Sequence, residues 1–261
     1  MAKYKIPISR PNLTADDFIE IKKCFDSTWI SSKSPWVDKF ESEFAKKVSG
    51  TKYAVSVNSG TSALFLALKA LGIGPGDEVI IPTLTMIATV NAVSLTGAKS
   101  VVVDSRSRDD WNIDPSQIEK KITPKTKAIL PVHLYGYSCE MEEITRIAKK
   151  HHIFVVEDAA EAMGALYRGK QVGGLGDVSC FSLYANKIMT TGNGGMVATC
   201  FFMAWLLAII AGNQKFGWEY AGGSINLTFL LDRFFLYQAK TCRLFAINFS
   251  NRLVWDNPRA A

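Results

Sequence analysis

From residue 53 to residue 158 the chain alternates short, continuously apolar runs with stretches whose apolar positions recur every three or four residues. The runs are YAVSV from Tyr53, EVIIP from Glu78, SVVVD from Ser100, AILPV from Ala128 and IFVVE from Ile153. Helical spacing fills the gaps, at about Thr61 to Leu71, Thr85 to Leu95, after Asp114, and Glu140 to Lys150. Strands that are apolar at every position cannot leave one face in water, so this alternation predicts a mostly parallel sheet with helices on both faces, an α/β fold. Ligands of such sheets sit outside the carboxyl ends of the strands. The polar residues at those ends are Ser59-Gly60-Thr61, Thr83 to Met86, Asp104, His133 and Asp158.

Before residue 53 the pattern is helical. Thr14 followed by Asp17 has the form of a capping box, and Phe18, Ile21 and Phe25 continue on one face. The polar loop TWISSKSP, 28–35, leads to a second helix marked by Trp36, Phe40 and Phe44. After Met196 the pattern changes again: residues 190–214 carry no charge. Roughly 20 apolar residues suffice to cross a bilayer, but the first part of this stretch is rich in Gly and Asn and continues the preceding loop. The expectation is a buried helix or strand, or a foreign tail, with a membrane tether through residues 196–212 as the alternative.

Composition narrows the partners. With 261 residues, 48% hydrophobic and 21% charged, the chain can bury one large core or a core and a small appendage. The net charge of +6 is spread along the chain without basic runs, which points away from nucleic acid and towards a phosphorylated small molecule. Five cysteines, at 24, 139, 180, 200 and 242, form no CxxC pair, so neither a zinc site nor a disulfide framework is indicated and no metal is expected. A reducing compartment follows. The opening MAKYKIPISRPN has no apolar core of a secretory leader, which makes the cytoplasm the expected location.

Candidate chemistry concentrates in residues 153–196. Asp158 ends an apolar strand, where an unpaired carboxylate is costly to bury; it is either the N-cap of a helix over AAEAMG or the counter-charge of a protonated ring nitrogen. Lys187 stands alone between Ser182 and a Thr/Gly-rich turn with glycines at 192, 194 and 195. A desolvated lysine forms an imine with an aldehyde and then moves protons as a general base. Glu161 would share a helix face with Asp158, facing either a ligand or solvent. Ser59-Gly60-Thr61 at a helix start can hold a phosphate on free N–H groups, or be an ordinary capped turn. His133 and Tyr135 end another strand, and a lone buried histidine is more often satisfied by the core than used.

Taken in order, NSGTSAL, GIGPGDEVIIPTLT, NAVSLTGAKSVVVD, ITPKTKAILPVHLYG, VVEDAAEAMGA and SLYANKIMTTGNGGM resemble the DegT/DnrJ/EryC1/StrS sugar aminotransferases, pyridoxal-phosphate enzymes of fold type I. The resemblance spans roughly residues 5–199, and the segment 25–33, FDSTWISSK, resembles the GDP-perosamine synthase branch. It implies a large cofactor domain over 1–199 and amino transfer from glutamate to a nucleotide-linked 4-keto-6-deoxy sugar, as in O-antigen and lipopolysaccharide synthesis, by a homodimer. Lys187 would hold pyridoxal 5'-phosphate covalently and move the proton. Asp158 would pair with the pyridine nitrogen, Glu161 would lie near the ring or its hydroxyl, and Gly60, Thr61 and Ser182 would hold the phosphate. Met86 stands where the family has an aromatic ring against the cofactor, and Asn193 where it has a glutamate. Residues 200–261 match nothing in the family, so its small C-terminal domain is expected to be absent or replaced, and a truncated, non-catalytic or self-associating fragment is the alternative reading.

Overall fold

The computed structural model describes residues 12–29, 31 and 34–200. Ile30, Ser32 and Lys33 of the perosamine-type loop and residues 201–261, with the readings placed on them above, lie outside the described residues.

Seven strands form one sheet: β1 (Tyr53–Val57), β2 (Glu78–Pro82), β3 (Lys99–Val103), β4 (Thr126–Ile129), β5 (Phe154–Asp158), β8 (Val178–Ser182) and β9 (Gly195–Thr199). Their spatial order is β1-β9-β8-β5-β4-β2-β3. A separate short hairpin joins β6 (Leu166–Tyr167) to β7 (Lys170–Gln171). The pairs β2/β3, β2/β4, β4/β5 and β5/β8 run parallel, while β9 is antiparallel to both β8 and β1. The expected α/β fold, mostly parallel with helices on both faces, is therefore the one observed. β8 and β9 are the strands that apolar patterning did not announce, because small and polar residues interrupt both.

Alternation along the strands sends neighbours to opposite faces. Val79, Ile81, Val156, Val178, Cys180 and Val197 pack with α3 (Gly60–Ala70) and α4 (Ile87–Thr96). Ile80, Ile129 and Val155 pack on the other face with Ile118 of α5 (Pro115–Lys121) and Ile144 and Ile147 of α6 (Met141–His151). Ile80 and Ile81 are both fully buried, one per face, and each such side chain contributes about 1.5 to 3 kcal/mol. A third cluster brings Phe44, from α2 (Pro35–Phe44), edge-on to Phe181 at 5.0 Å between ring centroids. In α1 (Ala15–Asp26) the capping box forms, the Thr14 N–H donating to Asp17 Oδ2 at 2.7 Å.

One expectation is corrected, and one, a buried strand at the start of the uncharged stretch, is met. No helix follows Asp158: residues 159–165 are turns, in which Ala162 N–H returns to the Ala159 carbonyl and Ala165 N–H to that of Ala162. Residues 196–199, the start of the stretch considered as a tether, lie in the interior strand β9 and are buried between β1 and β8. Among the described residues no helix is long and apolar enough to cross a membrane.

Candidate active site

The carboxyl end of β5 is the centre of the site. Parallel alternation gives its last two residues opposite directions, Glu157 to the α6 side and Asp158 to the side of α3 and α4. Asp158 is 4% exposed. Thr89, fully buried on α4, donates its hydroxyl to Asp158 Oδ2 at 2.9 Å, and the Ala160 N–H donates to Oδ1 at 3.2 Å. Burial raises the pKa of Asp158, and these two donors and Lys187 act against that rise. The carboxylate, read as either a helix N-cap or the counter-charge of a ring nitrogen, thus has protein partners as well, which a strand-end reading could not supply because Thr89 is 69 residues away.

Lys187 lies in a loop whose ends are tied together. Leu183 N–H donates to the Gly194 carbonyl at 2.8 Å, Thr191 N–H to the Leu183 carbonyl at 3.1 Å, and Lys187 N–H to the Tyr184 carbonyl at 2.9 Å. Its ammonium donates to Glu161 Oε1 at 3.0 Å, the two side chains being 16% and 23% exposed. The other oxygen, Oε2, accepts the Tyr135 N–H at 3.1 Å. Tyr135 holds a left-handed backbone, φ 51°, that a non-glycine residue adopts at a cost. Glu161 is therefore not aligned with Asp158 by a helix; a turn delivers it to Lys187.

The third wall is the start of α3. Ser59 caps the helix, its Oγ accepting the Ser62 N–H at 3.1 Å. Gly60 lies against Ser182: a Cβ on Gly60 would stand 2.8 Å from Ser182 Cβ and 3.2 Å from its Oγ. A Cβ on Gly195 would overlap the Ser59 carbonyl, which fits the close backbone approach expected of that glycine-rich turn. Gly60, Thr61 and Ser182 are thus gathered where unsatisfied helix N–H groups favour an anion. Met86 is the N-cap residue of α4, 60% exposed and three residues before Thr89.

His133 is a core residue. It is fully buried, with Nε2 3.2 Å from Glu157 Oε2 and Nδ1 accepting the Cys139 N–H at 3.1 Å. Burial is the largest influence on the ring and opposes its charge. The N–H aimed at Nδ1 assigns the neutral tautomer, protonated at Nε2, because a nitrogen accepting an N–H carries no proton. Thr89 was not singled out from the sequence, while Tyr135 and Thr85, whose hydroxyl is 2.8 Å from that of Thr89, were noted only as strand-end residues. The i,i+4 spacing of Thr85 and Thr89 was the available signal.

An amine, a buried carboxylate and a helix start suited to an anion, at the carboxyl end of the sheet, agree with what similarity shows. The DegT/DnrJ/EryC1/StrS aminotransferase family matches residues 11–200. The chain belongs to this family. It is 54% identical over 197 residues to the GDP-perosamine synthase of Escherichia coli O157:H7, covering 76% of this chain and 53% of that protein. It is 50% identical over 195 residues to the GDP-perosamine synthase of Caulobacter vibrioides, covering 75% and 52%. The chain thus spans about half the length of the curated relatives it matches. Among solved structures, it resembles the putative sugar aminotransferase Spr1654 of Streptococcus pneumoniae. For the PMP form the TM-score is 0.75 at 31% identity over 80% of this chain and 57% of that one. For the PLP form it is 0.76 at 29% identity, over 92% and 67%.

Proposed function

We propose that this chain carries the pyridoxal-phosphate machinery of a nucleotide-sugar aminotransferase, encoded in residues 1–199 as one domain with 200–261 distinct from it. The observation that supports the reading most is the Lys187–Glu161 contact beside the buried Asp158. The residues present fit the cofactor's chemistry: a lysine amine for its aldehyde, a carboxylate for its ring nitrogen, and a capped helix start with Ser182 for its phosphate. When bound, the cofactor supplies a carbonyl that exchanges amines and a ring that accepts electrons.

The protein's part follows from its side chains. The Lys187 amine would hold the cofactor at its aldehyde, with loss of water, and when free would be the base that moves the proton. Glu161 keeps that amine aimed by accepting its hydrogen bond. Asp158, in a water-poor setting, holds the ring nitrogen's proton through a charge-assisted contact. The Gly60 and Thr61 N–H groups, the Thr61 hydroxyl and Ser182 take the phosphate, and Met86 offers a soft contact to the ring face. By the likeness to GDP-perosamine synthases, the acceptor is a GDP-linked 4-keto-6-deoxy sugar and the donor glutamate. The enzyme is then a cytoplasmic homodimer in O-antigen or lipopolysaccharide synthesis.

The test is to incubate the purified chain with pyridoxal phosphate, reduce with borohydride and map the labelled peptide. Label on Lys187, absent from Lys187→Ala, is the expected result; a colourless protein without label sinks the reading. Amine transfer from glutamate to the GDP-linked ketosugar, compared with UDP- and dTDP-linked ketosugars, tests the finer assignment. Labelling without transfer would leave the chain a cofactor-binding, non-catalytic fragment.

A further inference from the structure

We propose that Thr89, backed by Thr85, is a positioning residue for Asp158: its hydroxyl fixes the carboxylate's orientation and keeps it ionised for the ring nitrogen. The inference rests on the cofactor reading above for its purpose, and on the geometry of the protein alone for its mechanism.

A hydroxyl has one proton. If Thr89 donates it to Asp158 Oδ2 at 2.9 Å, the 2.8 Å contact between Thr89 and Thr85 must be donated by Thr85. The two threonines therefore form a one-way chain, Thr85 to Thr89 to Asp158, in which each bond polarises the next. Thr89 reaches this place because α4 begins one turn earlier, at Met86, and its own N–H donates to the Met86 carbonyl at 3.1 Å. A purely structural role would be met more cheaply by apolar packing, since buried polar pairs are often no more stable than hydrophobic replacements.

The proton inventory at Asp158 shows what the chain is for. Burial pushes the carboxyl towards its neutral form, in which it could not hold a cationic ring. The groups acting on Asp158 are Thr89 from α4, the Ala160 N–H from the following turn and Lys187 from its loop, while His133, from beyond β4, is neutral. Cys180, opposite it on β8, is buried and has its own thiol pKa raised well above normal, so it brings no negative charge. Of these, Thr89 makes the shorter of the two hydrogen bonds on the carboxylate, and its removal would leave one longer backbone donor.

The experiment compares wild type with Thr89→Val, Thr89→Ser and Thr85→Val, using protein labelled with carbon-13 at aspartate Cγ and Asp158→Asn to assign the signal. In the cofactor-free protein, Thr89→Val is expected to raise the Asp158 titration midpoint, Thr89→Ser to restore it, and Thr85→Val to raise it less. In the loaded protein, Thr89→Val should weaken pyridoxal-phosphate binding about 10- to 100-fold, the range for a hydrogen bond to a charged group. An unmoved midpoint in Thr89→Val overturns the proposal, even if stability falls. If Thr89→Val does not fold, Thr85→Val decides by the same midpoint. Absence of label on Lys187 in wild type would instead defeat the cofactor reading and leave the titration arm to judge Thr89.

Discussion

Glu157 and Asp158 are consecutive, both buried, and on the same strand, yet their carboxylates are treated in opposite ways. Glu157 is saturated: Oε1 accepts the N–H groups of Leu175 at 2.7 Å and Gly176 at 2.5 Å, and Oε2 accepts Gly173 N–H at 2.8 Å and His133 Nε2 at 3.2 Å. Asp158, on the other face of the sheet, has two donors and a lysine nearby. A carboxylate whose acceptor sites are filled by backbone holds a loop in place. One that is oriented but not filled has capacity left for a ligand. Burial alone does not distinguish structure from function here; the remaining hydrogen-bonding capacity does.

The hardest test of that contrast is Glu157→Ala. It strands the buried Gly173 N–H, the part-buried Leu175 and Gly176 N–H groups and the His133 ring, so a loss of about 3 to 5 kcal/mol is expected, the range for breaking a buried charged network. Urea denaturation measures it, and a loss under about 1 kcal/mol would erase the distinction. Next is Gly173→Ala, on the same loop. Gly173 has φ +96°, and an added Cβ would overlap the Phe181 ring. Left-handed strain and overpacking together should remove about 2 to 4 kcal/mol, seen as a lower thermal midpoint, while the folded fraction still captures pyridoxal phosphate on Lys187.

Much of this was legible beforehand because both the parallel core and the site lie on short-range patterns. Val79, Ile80 and Ile81 announce a strand buried on two faces, and Asp158, Lys187 and Ser59 to Thr61 stand at strand or helix ends where ligands gather. What stayed hidden depends on tertiary pairing. β9 is masked by its glycine-rich approach, and its antiparallel register with β1, Val57 against Gly195, is a long-range fact. The Thr89–Asp158 bond joins residues whose only local trace is the Thr85/Thr89 spacing. Glu161 was linked to Asp158 through a helix that does not form, since the turn after β5 is set by its own backbone hydrogen bonds; the residue reached the site by another route. Glu157 closes the apolar run IFVVE, but nothing local shows that Gly173 to Gly176 would close over it.

Asp158→Asn should give the smallest change in stability and the largest contrast in kind. The folded carboxyl has its pKa raised by burial, above the unfolded value of about 3.9. In the window between those two values the folded protein binds the proton that the unfolded chain has released, so wild-type stability falls as pH rises through the window and stays lower above it. The asparagine does not titrate. The variant's stability relative to wild type should therefore rise across that window and level off. At neutral pH it should be unchanged to about 1 kcal/mol more stable, as is common when a buried charge is neutralised; Thr89 can still donate to the amide oxygen. Cofactor retention should fall at the same time, because the amide cannot balance a cationic ring nitrogen. Denaturant midpoints from about pH 3.5 to 8, paired with pyridoxal-phosphate release, decide it. A loss matching that of Glu157→Ala would show that both carboxylates hold the fold and that neither is held ready for a ligand.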